Sequence, residues 1–215
     1  MPLFSIVVVH YQGVNSHETF LRGIRSLQAQ TCQDYEILCY HDGPLLDSGV
    51  AFPLPITCTE RRYGDWGHSL RDRGIREAKG DYIVHFNADN LLYPEALAEI
   101  AKEIQRAPRV IDRASGRGAD SNDIIIFPIK MWGLVKFRQH TVQFKAPHQD
   151  FYLILNGVPP VLQNIDCMQL VMKRELWLKE GGWHDKREVS DGLMYQSFCQ
   201  RYGYRHVGPV LGEHF

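Results

Sequence analysis

In the first half of the chain, segments with the apolar pattern of a β-strand alternate with segments whose apolar residues have helical spacing. Residues 4–9 form a nearly continuous β-branched run, which is typical of a parallel strand buried on both faces. Phe20, Leu21, Ile24 and Leu27 then recur at helical spacing. The same patterns predict strands at 35–40, 56–59 and 81–86, a helix at 67–79 closed by Gly80, and a helix with Pro94 in its first turn. This order of elements across residues 1–106 predicts an α/β fold around a mostly parallel sheet with right-handed crossovers.

The second half of the chain has a less regular pattern. It predicts strands at 123–127, 168–172 and 207–211, helices at 174–180 and 191–202, and an exposed loop at 114–123. Residues 128–164 mix aromatic, proline and histidine residues without a clear period and receive no assignment. With no repeat and no long linker, residues 1–215 are predicted to form a single domain with a regular half, 1–106, and an irregular half, 107–215.

Composition excludes several classes of protein. The 215 residues are 44% hydrophobic, and 24 Lys and Arg against 25 Asp and Glu give a net charge of −1. Such a balance argues against a general nucleic-acid binder. Five cysteines without a C-x-x-C pair indicate free thiols in a reducing compartment. No apolar run approaches the roughly 20 residues of a membrane helix, and the run at 3–9 lacks the basic leader of a signal peptide. A cytoplasmic protein without a transmembrane segment is the expectation.

Polar residues follow three of the predicted strands, at His10–Gln12, His41–Gly43 and Asn87–Asn90. In a parallel sheet such positions collect at one edge, where ligands bind. We therefore expect a single cleft lined by Tyr11, Asp42 and Asp89. An aromatic ring stacks on a planar base, one carboxylate accepts from a base N–H, and a second carboxylate holds a divalent cation. The pattern predicts a nucleotide site.

The order and spacing of these stretches resemble the family 2 glycosyltransferases. The similar segments are residues 5–11, 26–31, 35–43, 70–75 and 78–90, followed by Pro94. The resemblance implies the GT-A fold. It also implies transfer of a sugar, with inversion, from a UDP- or GDP-sugar donor to a saccharide or other hydroxyl-bearing acceptor, assisted by Mn²⁺ or Mg²⁺.

The resemblance implies roles for individual residues of the first half. Asp42 resembles the acidic residue that contacts the donor base, and Tyr11 ends the first similar segment and supplies an aromatic ring that can stack on a base. Arg71 resembles the arginine of the family's A-R-N-x-G stretch, which faces the donor. Asp89 resembles the last carboxylate of the D-x-D motif, a ligand of the cation. Asn87 replaces the first Asp of that motif at the donor site, so fewer carboxylates remain than in the family pattern.

The second half carries a looser resemblance. Residues 167–183 resemble the segment that precedes the family's catalytic acid, and Ser190-Asp191 stands where the family usually has Glu-Asp. Asp191 is the implied base that deprotonates the acceptor hydroxyl. His214 follows the last predicted strand, where some relatives supply a histidine to the metal.

Structural interpretations compete with these roles. Asp42 also suits a turn, Asp89 and Asp191 suit helix N-caps, and Arg71 suits a solvated helix face. Trp132, in the unassigned stretch, is the aromatic candidate for the acceptor site. Two further functions stay open: a non-catalytic nucleotide-sugar-binding module, which Asn87 favours, and a nucleotidyltransferase. A basic, glycine-rich first loop is usual in the latter, whereas residues 10–17 contain one Gly and no Lys or Arg.

Overall fold

The computed structural model describes residues 1–47, 49, 51–106, 122–136, 142–144 and 151–215. The first half follows the predicted order of strands and helices closely. Its elements are β1 (Phe4–His10), α1 (His17–Gln28), β2 (Tyr35–His41), β3 (Ile56–Cys58), α2 (His68–Glu77), β4 (Tyr82–Asn87), β5 (Leu91–Leu92) and α3 (Ala96–Gln105).

The second half contains more strands than its pattern indicates. Its elements are β6 (Ile124–Ile126), β7 (Ile129–Trp132), β8 (Leu134–Lys136), β9 (Val142–Phe144), β10 (Tyr152–Leu155), a 3-10 turn (Cys167–Gln169), β11 (Leu170–Lys173), α4 (Arg174–Lys179), α5 (Ser190–Tyr202), β12 (Arg205–His206) and β13 (Gly212–His214). Strands β7 to β10 fall in the stretch that had no assignable period. Most of the predicted loop at 114–123 lies outside the described residues.

Two larger sheets and an antiparallel pair of strands, β8 and β9, organise the described residues. The larger has the order β12-β6-β11-β4-β1-β2-β3, and the smaller has the order β10-β7-β13-β5. Strands β3, β2, β1 and β4 run parallel, whereas β11 is antiparallel to both β4 and β6. The prediction of a mostly parallel central sheet with flanking helices is confirmed.

The alternation of side chains along β1 places a hydrophobic core on each face of this sheet. Ile6 and Val8 pack on the face that also buries Ile24 of α1, while Val7 packs on the opposite face with Leu70 of α2. Gly74 lets α2 approach the sheet closely, because a Cβ atom there would lie 2.4 Å from Val7 Cγ1. Both cores hold the carboxyl ends of the parallel strands in fixed positions.

The helices are short, and two of their boundaries differ from the prediction. Helix α2 is followed by extended backbone at Ala78, so Gly80 is not its C-cap. Gly80 instead packs on β1, where its N–H donates to Ser5 Oγ at 2.8 Å. Pro94 precedes α3, which begins at Ala96, two residues later than the first-turn position predicted for it. Among the described helices, none combines the length and apolar character needed to cross a membrane.

The predicted last strand at 207–211 is wrong. This segment crosses from the larger sheet to the smaller one, between β12 and β13. The Val207 N–H donates to the Ile126 carbonyl at 2.8 Å, and the Leu211 N–H donates to the Pro128 carbonyl at 2.9 Å. Val207 and Leu211 are both buried, which explains the strand-like apolar pattern. The hydrogen bonds to Ile126 and Pro128 involve only these two end residues of the segment.

Candidate functional site

A cleft of about 280 Å³ opens at the carboxyl ends of β1, β2 and β4. It brings together four residues that the sequence places in a nucleotide site, Tyr11, Asp42, Asn87 and Asp89. The remaining lining residues are Val9, His10, Val14, Asn15, Arg62, Gly64, Trp66 and Gly67. The location agrees with the rule that ligands of α/β sheets bind beyond the carboxyl ends of the strands.

Asp42 is a nearly buried carboxylate at one end of the cleft. Its two oxygens accept from the backbone N–H groups of Tyr63 at 2.7 Å and Gly64 at 3.0 Å. Asp42 therefore anchors a distant loop and does not act merely as a local turn former. Since each carboxylate oxygen can accept more than one hydrogen bond, Asp42 keeps capacity for a donor group of a ligand in the cleft.

Arg62 and Tyr11 stack against each other beside Asp42. The Arg62 guanidinium carbon lies 3.8 Å from the centroid of the Tyr11 ring, and Arg62 Nε lies 3.8 Å from Asp42 Oδ2. About half of the Arg62 side chain is exposed. This end of the cleft thus offers a ring face, a carboxylate acceptor and a guanidinium donor, which suits a planar, hydrogen-bonding group.

Arg71 is buried behind the cleft, which excludes the competing interpretation of a solvated residue on a helix face. Its guanidinium donates to the Trp66 carbonyl at 2.7 Å and to Asn87 Oδ1. Arg71 does not itself line the cleft. Because Asn87 is neutral, it orients the guanidinium without cancelling its charge. The cleft wall at Asn87 is therefore backed by a fixed positive charge, which favours an anion there and also acts on the carboxylates of Asp166 and Asp191.

A buried carboxylate–imidazole pair lies at the end of β13. His214 Nδ1 is 3.4 Å from Asp166 Oδ2. Burial alone would lower the pKa of His214, but the charge of Asp166 and its hydrogen bond raise it to about 9. Burial alone would raise the pKa of Asp166, and the charge and hydrogen bond of His214 hold it below its usual value. The charge of Asp89 also acts on His214, which places the pair near the cleft wall.

Asp191 lies in the first turn of α5, close to the same pair. Burial, followed by the negative charge of Asp166, raises the pKa of Asp191 to about 6. Val189, not Asp191, is the N-cap of α5. Asp191 Oδ1 nevertheless accepts the Gly192 N–H at 2.7 Å. A half-buried carboxylate with a pKa near neutrality has the properties of a general base.

The residues called metal ligands only partly form a metal site. Within the ranges that the structure describes, no three His, Cys, Asp or Glu side chains are arranged to hold an ion. Asp89 lines the cleft, and one carboxylate completed by substrate phosphates is a common way to bind Mg²⁺. The contact of His214 with Asp166 is the usual second-shell arrangement of a ligating histidine. Asp89 therefore fits a cation that arrives with a diphosphate, whereas His214, with its pKa raised to about 9, would have to lose its proton before it could bind the cation.

Three residues of this region escaped the sequence analysis: Arg62, Trp66 and Asp166. The sequence could have identified Asp166 as the start of a helical turn, since Gln169 three residues later completes a capping box. Trp66 stands between Gly64 and Gly67, which marks a loop of unusual backbone but not its ligand. The stack of Arg62 on Tyr11 joins residues 51 positions apart and leaves no local pattern.

The profile of the family described as Glycosyl transferase family 2 matches residues 5–158. An uncharacterized glycosyltransferase of Rickettsia typhi is 25% identical over 154 residues, covering 70% of this chain and 42% of the relative. The uncharacterized glycosyltransferase YwdF of Bacillus subtilis is 25% identical over 158 residues, covering 72% of this chain and 55% of the relative. The chain thus spans about half the length of these curated relatives.

Solved structures of TarS from S. aureus have the same fold. The TarS 1–349 structure in complex with UDP superposes with a TM-score of 0.66 at 14% identity, covering 98% of this chain and 60% of TarS 1–349. A TarS structure in complex with UDP-GlcNAc superposes with the same TM-score, at 13% identity.

Proposed function

Since the chain belongs to glycosyl transferase family 2, we propose that it transfers a sugar from a nucleoside-diphosphate sugar, with UDP as the nucleotide, to an acceptor hydroxyl. The observation that carries the proposal is the single cleft that gathers Tyr11, Asp42, Asn87 and Asp89 at the edge of a GT-A sheet. The complexes of TarS with UDP and UDP-GlcNAc support the choice of nucleotide.

The base of the donor binds at the Asp42 end of the cleft. Uracil presents an N–H between two carbonyl groups, and Asp42 accepts from the N–H while the Arg62 guanidinium donates to a carbonyl oxygen. Two backbone N–H groups already fix the carboxylate of Asp42, so little side-chain freedom is lost on binding. This arrangement of acceptor and donor gives specificity for the base.

The diphosphate lies along the wall formed by Asn87 and Asp89. Arg71 supplies a positive charge behind Asn87, and the low polarity of its buried environment strengthens its field. A bound Mn²⁺ or Mg²⁺ would add charge neutralisation of the leaving diphosphate, with Asp89 as a protein ligand and His214 as a second ligand after loss of its proton. Stabilising the charge that develops on the leaving group lowers the barrier to cleavage of the glycosidic bond.

Asp191 is the base of the proposed reaction. It takes the proton of the acceptor hydroxyl as the hydroxyl oxygen attacks the anomeric carbon, and the nucleoside diphosphate leaves from the opposite face with inversion. The pKa of Asp191, raised to about 6 by burial and by Asp166, leaves it ionised at neutral pH yet basic enough to accept a proton in the transition state.

A panel of nucleoside diphosphates tests this function by thermal stabilisation. Saturating UDP with Mn²⁺ is expected to raise the melting temperature by roughly 5–10 °C, since binding to the folded state at ~100 times Kd adds ~2.7 kcal/mol. Adenosine and cytidine diphosphates should raise the melting temperature much less, because their bases lack the ring N–H that would donate a hydrogen bond to Asp42. Equal shifts for all bases would contradict base recognition by Asp42.

Replacing Asp42 with Ala is expected to weaken UDP binding by ~10-fold or more, because a charge-assisted hydrogen bond is lost. Calorimetric titration with UDP measures the change. The variant Asp42→Asn serves as a milder comparison, since its amide oxygen still accepts from one of the two loop N–H groups, that of Tyr63 or that of Gly64. Unchanged affinity in Asp42→Ala would remove this residue from the site, and melting temperatures report any loosening of the loop separately.

A further inference from the structure

The loop Arg62–Gly67 carries an aromatic side chain to which the proposed reaction gives no role. Trp66 is 64% exposed, whereas Trp177 and Trp183 are fully buried. It lines the cleft next to Gly67. A single exposed apolar residue is ordinary on a protein surface, but the backbone of Trp66 and its place in the cleft are not.

The backbone holds Trp66 in a conformation that bulky residues rarely adopt. Its φ is +60°, and the neighbouring Gly64 and Gly67 have φ of +68° and +79°. Glycine adopts this conformation at a lower cost than tryptophan, so Trp66 carries backbone strain at this position. The Trp66 carbonyl accepts from Arg71 at 2.7 Å, and Asp65 Oδ2 accepts from the Ser69 N–H at 3.0 Å. Strained residues held by their surroundings in this way cluster at binding sites.

The same contacts locate Trp66 along the cleft. Arg62 marks the base end, because it touches Tyr11 and Asp42. Arg71 joins the Trp66 carbonyl to Asn87 Oδ1, so the backbone of Trp66 lies next to the wall where the diphosphate is proposed to bind. A phosphate has no apolar face to place on an indole. The next group of a nucleotide sugar is the pyranose, whose C–H face matches the electron-rich face of an aromatic ring.

The size of the cleft agrees with this placement. Its volume of about 280 Å³ falls just below the ~300–1,000 Å³ of sites that enclose a small molecule. A cleft of this size encloses only part of a nucleotide sugar, so we place the nucleoside diphosphate inside it and the sugar at its mouth, where Trp66 is exposed.

We propose that Trp66 is the stacking platform for the pyranose ring of the donor and thereby a determinant of sugar specificity. The inference rests on the proposed function, because it takes a nucleotide sugar as the ligand. The indole covers one face of the ring and orients the anomeric carbon, while Asp42 and Arg62 hold the base at the other end.

The variant Trp66→Ala tests the proposal by comparing two ligands that differ only in the sugar. Calorimetric titrations with Mn²⁺ use UDP against UDP-GlcNAc, and GDP against GDP-mannose. The ratio of the sugar nucleotide's Kd to that of its nucleoside diphosphate should rise about 5- to 10-fold in Trp66→Ala, by analogy with aromatic stacking on bases. The ratio should stay near the wild-type value in Trp66→Phe. It should be unchanged in the control variant Tyr152→Ala, which removes an exposed aromatic side chain from β10.

The outcomes are separable. An equal loss of affinity for the nucleoside diphosphate and the sugar nucleotide would place Trp66 at the base or ribose and overturn the proposal, as would no loss for either ligand. The variant Trp66→Gly suits the backbone at φ +60°, so it should repeat the Trp66→Ala result in a protein that folds at least as well. If the wild type binds none of the four ligands, the proposed function fails as well. If nucleotides bind and the ratio is unchanged, only the role of Trp66 fails.

Discussion

Replacing Asp191 with Asn is expected to lower the turnover of glycosyl transfer by ~10²-fold or more, the range usual for loss of a general base. Asn keeps the shape and an oxygen that accepts the Gly192 N–H, which Asp191 Oδ1 accepts at 2.7 Å. It removes only the basicity. Donor affinity, measured by calorimetry, should therefore stay close to the wild-type value while the rate of nucleoside diphosphate release falls.

The pH dependence of the wild type provides a second signature of this base. Burial and the charge of Asp166 raise the pKa of Asp191 to about 6, while Arg71 and the Gly192 N–H oppose that rise. Below about pH 6 the carboxyl is protonated, so turnover should fall about tenfold per pH unit in the wild type. The residual rate of Asp191→Asn should lack this acidic limb.

Stability separates this catalytic role from a structural one. The pKa of Asp191 is raised from its ordinary value of 3.8 to about 6 in the folded state, so ionisation of Asp191 lowers the stability as the pH rises between these two values. The full cost is present at pH 7, and a neutral Asn should therefore not lower the melting temperature there. If Asp191→Asn is fully active, Asp191 serves only the start of α5. The base would then have to be sought elsewhere in the second half of the chain.

Replacing Asp89 with Ala is expected to abolish the part of donor binding that depends on the divalent cation. Asp89 is the carboxylate of the cleft nearest to the predicted diphosphate position, and Asn87 beside it is neutral and already bound to Arg71. The quantity to measure is the ratio of the UDP Kd without Mn²⁺ to the Kd with it. This ratio should fall to about 1 in Asp89→Ala, because one direct carboxylate ligand is lost.

The variant Asp42→Ala is the matched control for that experiment. It should weaken UDP binding with and without Mn²⁺ alike, so its ratio should equal that of the wild type. If the ratio of the UDP Kd without Mn²⁺ to the Kd with Mn²⁺ stays at the wild-type value in Asp89→Ala, the cation is held by other groups. A wild-type ratio of 1 would show that donor binding does not use a cation at all.

The first half of the fold was predictable because its signals are local. The runs at 4–9 and 35–40 carry their own period, and the cleft follows from the rule that polar residues after parallel strands share an edge. Tyr11, Asp42, Asn87 and Asp89 do line one cleft. The same rule could not give Arg62, whose contact with Tyr11 depends on how the loop after β3 folds back.

The second half was harder because its strands pair over long distances. Strand β13 lies between β7 and β5, more than 75 residues away along the chain from either of them, and no local period records such a partner. The burial of Arg71 was missed for a related reason. Its acceptors are the Trp66 carbonyl and Asn87, and neither contact is visible in a helix pattern that also carries Arg73 and Arg76.

The most direct measurement is the identity of the products formed from a nucleotide sugar. Incubation of the protein with UDP-GlcNAc and Mn²⁺, followed by separation of the products, distinguishes the three candidate functions. The account predicts UDP together with the transferred or hydrolysed sugar, at a rate that falls sharply in Asp191→Asn. Formation of a sugar phosphate and UTP when pyrophosphate is added would instead indicate a nucleotidyltransferase. Tight binding of every nucleotide sugar tried, with no product from any acceptor or from water, would contradict glycosyl transfer and leave a binding module.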